Sequence, residues 1–254
     1  MKKLYVAAKL IIDAYYPPEE FRVFIIYGPL GRGKSTYQFK VSVEVLKHIY
    51  KISEEEAWEM LKSLIIFHPS QFFEKIREIE ENFPFKRTPV LNWDDAGLWL
   101  YAMDWRDPFI ESFIKYLNVA RTHISALLCS SPTPAWILKK LRHFPEAYNV
   151  KINLVRGQPG SWDRQARGYL HWLHPDMKHS GVRTIFIDYF KCKMPKQFYE
   201  WYKPLRDKYE DMALNLLKEK WEQIGKRHKA ILLENYPELK TPSIKETLKK
   251  LLYK

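Results

Sequence analysis

Cysteine is nearly absent from this chain: Cys129 and Cys192 are the only two in 254 residues. Two thiols cannot make a disulfide framework, and they are too few for a zinc site. Cys129 lies inside an apolar run, as a small buried hydrophobe does, and the pair suits a reducing cytoplasm. No apolar run reaches membrane-spanning length. The opening stretch, residues 1–16, starts basic, but Lys9 and Asp13 interrupt its apolar face, which makes a poor secretion signal. Repeats and low-complexity tracts are missing too. Acidic residues are the minority among charges, 30 Asp+Glu against 42 Lys+Arg, for a formal charge of +12. Such a surface attracts polyanions, and nucleic acid is the commonest of these for a soluble protein. A lysine-rich surface kept for solubility or heat tolerance is the alternative.

What is present describes a sizeable globular fold. With 46% hydrophobic and 28% charged residues, the chain can bury one large core, or a core with a modest appendage. The first half alternates strand-like and helix-like segments, the pattern of a parallel sheet covered by helices. Leu4, Ala7, Ala8, Ile11, Ile12 and Tyr15 form one helical face and predict an N-terminal helix within residues 1–20. Strands are expected at 21–27, 64–67, 89–93, 124–129 and 149–155. Helices are expected at 34–50, behind the Ser53/Glu56 capping box, at 69–82, from Asp107-Pro108 to about residue 120, and over 135–144. Segments 168–173 and 182–190, joined by the polar turn 174–181, predict a β-hairpin. The expected organisation is therefore a core at 21–156, a hairpin extension at 157–194 and a helical, basic region at 195–254. From Lys191 to Lys254 there are 16 Lys+Arg against 9 Asp+Glu, and Ser243 with Glu246 opens a last short helix.

The densest chemical signal is Gly28, Pro29, Leu30, Gly31, Arg32, Gly33, Lys34, Ser35 and Thr36, which matches G-x-x-x-x-G-K-[ST] between a strand and a helix. Glycines let the backbone curl so that successive N–H groups point at a β-phosphate, and the helix start adds its positive dipole end. Lys34 supplies a charge to the β- and γ-phosphates, Ser35 a hydroxyl to Mg²⁺, and Thr36 a contact to the α-phosphate. ATP and Mg²⁺ are the expected ligands. A second signal, Val90 to Gly97, ends a strand in Asp94-Asp95. Asp94 is placed to hold the Mg²⁺ hydration shell, and Asp95 to orient or activate the attacking water. Basic residues Arg164, Arg167, Lys191, Lys193, Lys196, Lys226, Arg227 and Lys229 interleave with Trp162, Trp172, Tyr199 and Trp201. That mixture suits phosphate contacts with base stacking, or aromatics that pack helices onto the sheet. His171, His174 and His179 lack the spacing of a metal cage and read as hairpin residues.

The loop, the Asp-Asp-Ala-Gly after a strand and the strand leading into Ser130-Ser131 resemble the additional-strand class of P-loop ATPases. Within it they are similar to the DnaA- and DnaC-type AAA+ proteins, including DnaA-like ATPases of viruses and plasmids of hyperthermophilic archaea. The resemblance covers about residues 20–156. It implies an α/β three-layer fold with a mainly parallel five-stranded sheet centred on the loop strand. It also implies ATP-dependent homo-oligomers and work on DNA during replication, beside a helicase or another replication protein. On the same basis Ser131 senses the γ-phosphate, and Arg142, with Arg121 as competitor, reaches a neighbouring subunit's nucleotide. One feature departs: a hairpin stands where an AAA+ protein continues into a helical lid. In that respect the chain is more similar to the FtsK–HerA DNA translocases and the Zot-like ATPases of phages. A small-molecule kinase shares the loop but needs a lid arginine cluster and an acceptor pocket. A nucleotide-gated binding module with little hydrolysis would fit aspartate at 95 in place of the usual glutamate.

Overall fold

The computed structural model describes residues 4–82, 86–155, 160–173 and 180–223. The chain divides into two compact units, residues 1–201 and 202–254. In the first, α1 (Val6–Tyr15), β1 (Arg22–Tyr27), α2 (Lys34–Tyr50) and α3 (Glu54–Lys62) are followed by β2 (Ile65–Ile66) and α4 (Pro69–Asn82). Then come β3 (Leu91–Trp93), α5 (Pro108–Leu117), β4 (Ala126–Ser131), α6 (Lys139–Arg142), β5 (Ala147–Leu154), β6 (Asp163–Leu173) and β7 (Ser180–Lys191). α7 (Lys196–Gln223) begins in the first unit and carries the chain into the second, where i,i+4 ion pairs Lys203–Asp207 and Arg206–Glu210 line it.

The strands join one sheet in the order β2-β3-β4-β1-β5-β6-β7. β1 to β5 are parallel, and β6 and β7 are antiparallel to their neighbours. This is an α/β architecture with a mostly parallel central sheet, consistent with a P-loop NTPase-like fold. The expected hairpin therefore continues the sheet. Its strands begin at Asp163 and Ser180, earlier than hydrophobicity alone predicts, because backbone pairing carries the ladder through the polar run Asp163–Gln165.

Side-chain alternation assigns the two faces. Val23, Ile25, Leu91, Trp93, Leu127, Cys129 and Ala147 point into one core with Phe72 and Ile79 of α4 and Ile110, Phe113 and Leu117 of α5. Trp93, which breaks the all-aliphatic pattern expected of a buried strand, is fully buried between the rings of Phe72 and Phe113. The opposite face carries α2, whose buried side is partly polar. Gln38 Nε2 donates to the Leu128 carbonyl at 3.1 Å, and Ser42 Oγ donates to Asn92 Oδ1 at 2.9 Å.

Several expected elements formed with the same limits or nearly so. α2 and α4 match, and the Ser53/Glu56 box caps α3 in both directions. The helix expected over 135–144 is instead a 3₁₀ turn at Pro134–Trp136 followed by the short α6. Ile137 bridges Tyr101, and the Leu138 N–H donates to the Leu100 carbonyl, so inter-segment pairing wins over local helix propensity. α5 stops at Leu117, and a separate 3₁₀ turn covers Ala120–Thr122. The turn 174–179 with His174 and His179, the Trp172 side chain, Lys226, Arg227, Lys229 and the helix behind Ser243 lie outside the described residues.

A buried carboxylate ties the two ends of the first unit together. Asp188 on β7 accepts from the N–H groups of Val6 and Ala7 at 2.8 and 3.3 Å, and from the Tyr37 hydroxyl at 2.7 Å. Tyr5 gives α1 no side-chain cap, so Asp188 caps that helix from 182 residues away. Burial first, and then the Asp188 charge, raise the Tyr37 phenol well above the ordinary tyrosine range. Replacing Asp188 with Ala strands these donors and should cost about 2–4 kcal/mol. Chemical denaturation reads the loss, and amide exchange at Val6 and Ala7 should accelerate more than exchange in β1.

Candidate nucleotide site

β1 ends at Tyr27, and the chain turns at once through Gly28–Gly33 into α2. Gly31 and Gly33 have φ of 73° and 89°, a left-handed backbone that admits glycine and few other residues. At Gly33 space is limiting as well, since an added Cβ would lie 2.3 Å from Cys192 Sγ. Cys192 follows β7, is held by its N–H to the Trp162 carbonyl at 2.7 Å, and offers its thiol to Thr36 Oγ1 at 3.8 Å. The end of the hairpin thus forms the back wall of the loop.

Lys34 is the first residue of α2 and only 7% exposed; its Nζ reaches the Pro29 carbonyl at 3.3 Å, so the ammonium folds over its own loop. Ser35 Oγ donates to Asp94 Oδ1 at 2.8 Å, across 59 residues of sequence. Asp94 is fully buried and follows Trp93, with its N–H on the Ile66 carbonyl of β2. Ser130 Oγ donates to the same Oδ1 at 2.6 Å and accepts the Asp95 N–H at 2.8 Å. Asp95, partly exposed, takes φ of 49°, a left-handed conformation that aspartate tolerates better than most side chains. It turns the chain off the strand into the 3₁₀ turn Ala96–Leu98.

This donor set fits a magnesium nucleotide. A hydroxyl and a carboxylate oxygen converge within hydrogen-bond distance beside a buried ammonium and a helix start, which is hard-oxygen chemistry. Among the described residues, no cluster of three or more His, Cys, Asp or Glu side chains could hold a metal without such help. No described helix is long and apolar enough to cross a membrane.

The two serines of β4 differ from expectation. Ser131 Oγ donates to the Thr133 carbonyl at 2.9 Å, whereas Ser130 touches both aspartates. The alternation of β4 explains this: Leu127 and Cys129 face the α4/α5 core, so Ser130 faces α2 and Ser131 does not. That periodicity is present in the sequence and singles out Ser130. Cys192 had no comparable signal, because its nearness to the loop depends on the pairing of β6 with β7. Arg121 is exposed in the turn that precedes β4, at the opposite end of the parallel strands from the loop. Arg142 closes α6 with its Nε buried.

No family model matches the chain. It is 28% identical over 205 residues to the uncharacterized protein B-251 of Sulfolobus spindle-shape virus 1, covering 78% of this chain and 79% of that one. It is also similar to the N-terminal domain of zonular occludens toxin from Neisseria meningitidis, at 15% identity and a TM-score of 0.35, covering 71% of this chain and 98% of that one. With so low a TM-score, the chemistry rests on the site's own geometry.

Gly33→Ala should abolish tight nucleotide binding, because the new methyl meets Cys192 and the φ of 89° is strained. Cys192→Ala alone should bind nucleotide nearly as the parent does. The double variant should recover only part of the loss, since removing the sulfur relieves the clash and leaves the backbone strain. Fluorescent-nucleotide titration of the three proteins measures this; full recovery would leave the φ without consequence.

Proposed function

We propose that the protein is a Mg²⁺-dependent ATP hydrolase that couples turnover to work on DNA as a homo-oligomer. The observation that carries the reading is the 2.8 Å contact between Ser35 of the loop and the buried Asp94 at the end of β3, beside Lys34. Gly28 to Thr36 would cradle the phosphates through backbone N–H groups, and Lys34 would neutralise charge between the β- and γ-phosphates. Ser35 and Asp94 would hold Mg²⁺, which supplies a Lewis acid for the phosphate oxygens. Asp95 would orient water for in-line attack at the γ-phosphorus and accept its proton. The bridging P–O bond then breaks, and ADP leaves with the electron pair. Ser130 would hold Asp94 and the Asp95 backbone in one arrangement before substrate arrives. Ser131, whose hydroxyl is bonded to the Thr133 carbonyl, and Arg142 are given no catalytic part.

DNA as the partner rests on the +12 charge and on the basic C-terminal quarter of the sequence. The kind of work is either replication initiation and helicase loading, or DNA translocation and packaging. The direct passage of the sheet from β5 into β6 and β7 favours translocation, because no lid helix intervenes among the described residues before α7.

Lys34→Ala should bring ATP hydrolysis to background with the fold intact, as measured by phosphate release and circular dichroism. A folded variant with unchanged turnover would sink the hydrolase reading.

The carboxylates should separate in kinetics. Asp94→Asn is expected to impair both Mg²⁺-dependent nucleotide binding and turnover. Asp95→Asn should keep ATP bound and lower turnover by about 10²-fold or more. Ser130→Ala should fall between them, with turnover reduced more than affinity. Adding single- or double-stranded DNA to the parent should raise its turnover; acceptor phosphorylation instead would mark a kinase, and binding without turnover a gated module.

A further inference from the structure

On the face of the sheet away from α2, the helical cover ends with the four residues of α6, and within the first unit β6 and β7 are left open. At the border lies a recess of about 290 Å³ whose lining includes Tyr27, Arg142, His143, Asn149, Tyr169 and His171. Every one of these side chains can donate a hydrogen bond, and no described lining residue is acidic. Two of the lining residues hold buried donors without a partner among the described residues: Asn149 Nδ2, on a residue 5% exposed, and Arg142 Nε. Buried donors left unpaired are costly and usually mark a missing acceptor. The His143 and His171 rings lie 5.2 Å apart, and the His143 imidazole is lowered in pKa by burial and then by His171 and Arg142. Pro134 and Val182 complete the lining, and the arginine, histidine, amide and phenol donors between them match the oxygens of a phosphate group.

The face beyond the recess continues the same chemistry. The strand register places Lys151 beside Arg167 and Ile187, Asn153 beside Gln165 and Tyr189, and Lys191 at the end. Successive rows on one face lie about 7 Å apart. Arg167 Nε also has no partner among the described residues, and Tyr189 is 64% exposed with its hydroxyl held by Gln165 Nε2 at 3.0 Å. A free phosphate ion would use the recess alone. Cations and an anchored, exposed ring in line with it fit a chain of phosphates bearing bases.

We propose that the recess between α6 and β5–β6 seats a backbone phosphate of a DNA strand that lies across the open face of β5, β6 and β7. The proposal rests on the reading that DNA is the partner, and it assigns contacts to a face that the basic C-terminal region does not supply. The seat is on the sheet face opposite α2, so bound DNA and bound nucleotide would share β1 and β5 without competing for the same atoms.

The test uses the full chain, Asn149→Leu and His171→Ala, with fluorescein-labelled single-stranded oligonucleotides of mixed sequence. Asn149→Leu removes an unpaired buried donor and should fold at least as stably as the parent. Each variant should bind the oligonucleotide about tenfold more weakly or worse, with DNA-free ATP turnover unchanged. Oligonucleotide should also shift the histidine imidazole resonances of the parent in NMR spectra, with inorganic phosphate at equal concentration having little effect. Parent-like affinity in both folded variants would overturn the seat while leaving DNA as a partner. Shifts produced by inorganic phosphate and not by oligonucleotide would overturn it in favour of a small-anion site. A parent protein that hydrolyses ATP but binds no DNA would remove the DNA reading and the seat together, with the hydrolase standing.

Discussion

Everything at the candidate site depends on one buried oxygen, Asp94 Oδ1. It accepts from Ser35 of α2 and from Ser130 of β4, and so joins the loop helix to two neighbouring strands through a single atom. A carboxylate taken fully out of water is costly unless hydrogen bonds compensate, and here two hydroxyls do so. Those hydroxyls can rotate their protons away when a cation replaces them, so the arrangement that pairs the carboxylate in the free protein is the one that would bind metal. The rest of the α2–sheet seam extends the pattern with Gln38 on the Leu128 carbonyl and Ser42 on Asn92. A polar seam of this sort fixes the register of a helix on a sheet, where an apolar seam would tolerate sliding.

The opposite face works by another rule. Trp93, Phe72 and Phe113 lock β3 against α4 and α5 by ring packing, and the same strand therefore presents aromatic packing to one side and Asn92 and Asp94 to the other. Period-two alternation lets three residues serve both a rigid core and a chemical site. It also keeps the charged end of β3 rigid, because moving Asp94 would require moving Trp93 out of a filled core.

Much of this was legible in the sequence where the signal is local. The loop motif, the capping box at Ser53 and the strand ending in two aspartates depend on neighbours in the chain, and the loop helix and α4 formed with the expected limits. Ser130 could have been named from alternation alone, since Leu127 and Cys129 mark the core face of β4. What could not be read depends on long-range pairing. The 135–144 segment has helical composition but gives up Ile137 to a bridge with Tyr101. The polar start of β6 is strand only because β5 and β7 flank it, and the nearness of Cys192 to Gly33 follows from that pairing.

The bond between Asp188 and the start of α1 has a consequence for how the chain is made. α1 leaves the ribosome long before its cap, which lies 182 residues downstream. At ordinary elongation rates of about 5–20 residues per second, the helix waits on the order of ten to forty seconds for the residue that completes it. During that interval the apolar side of α1, Ala7, Ala8, Ile11 and Ile12, has α2 for cover but no anchor at its leading end. A nascent chain halted before β7 would hold an unfastened α1 and a phosphate loop without the wall that Cys192 supplies. The first unit thus closes with a late step in which β7 fastens a helix made long before it.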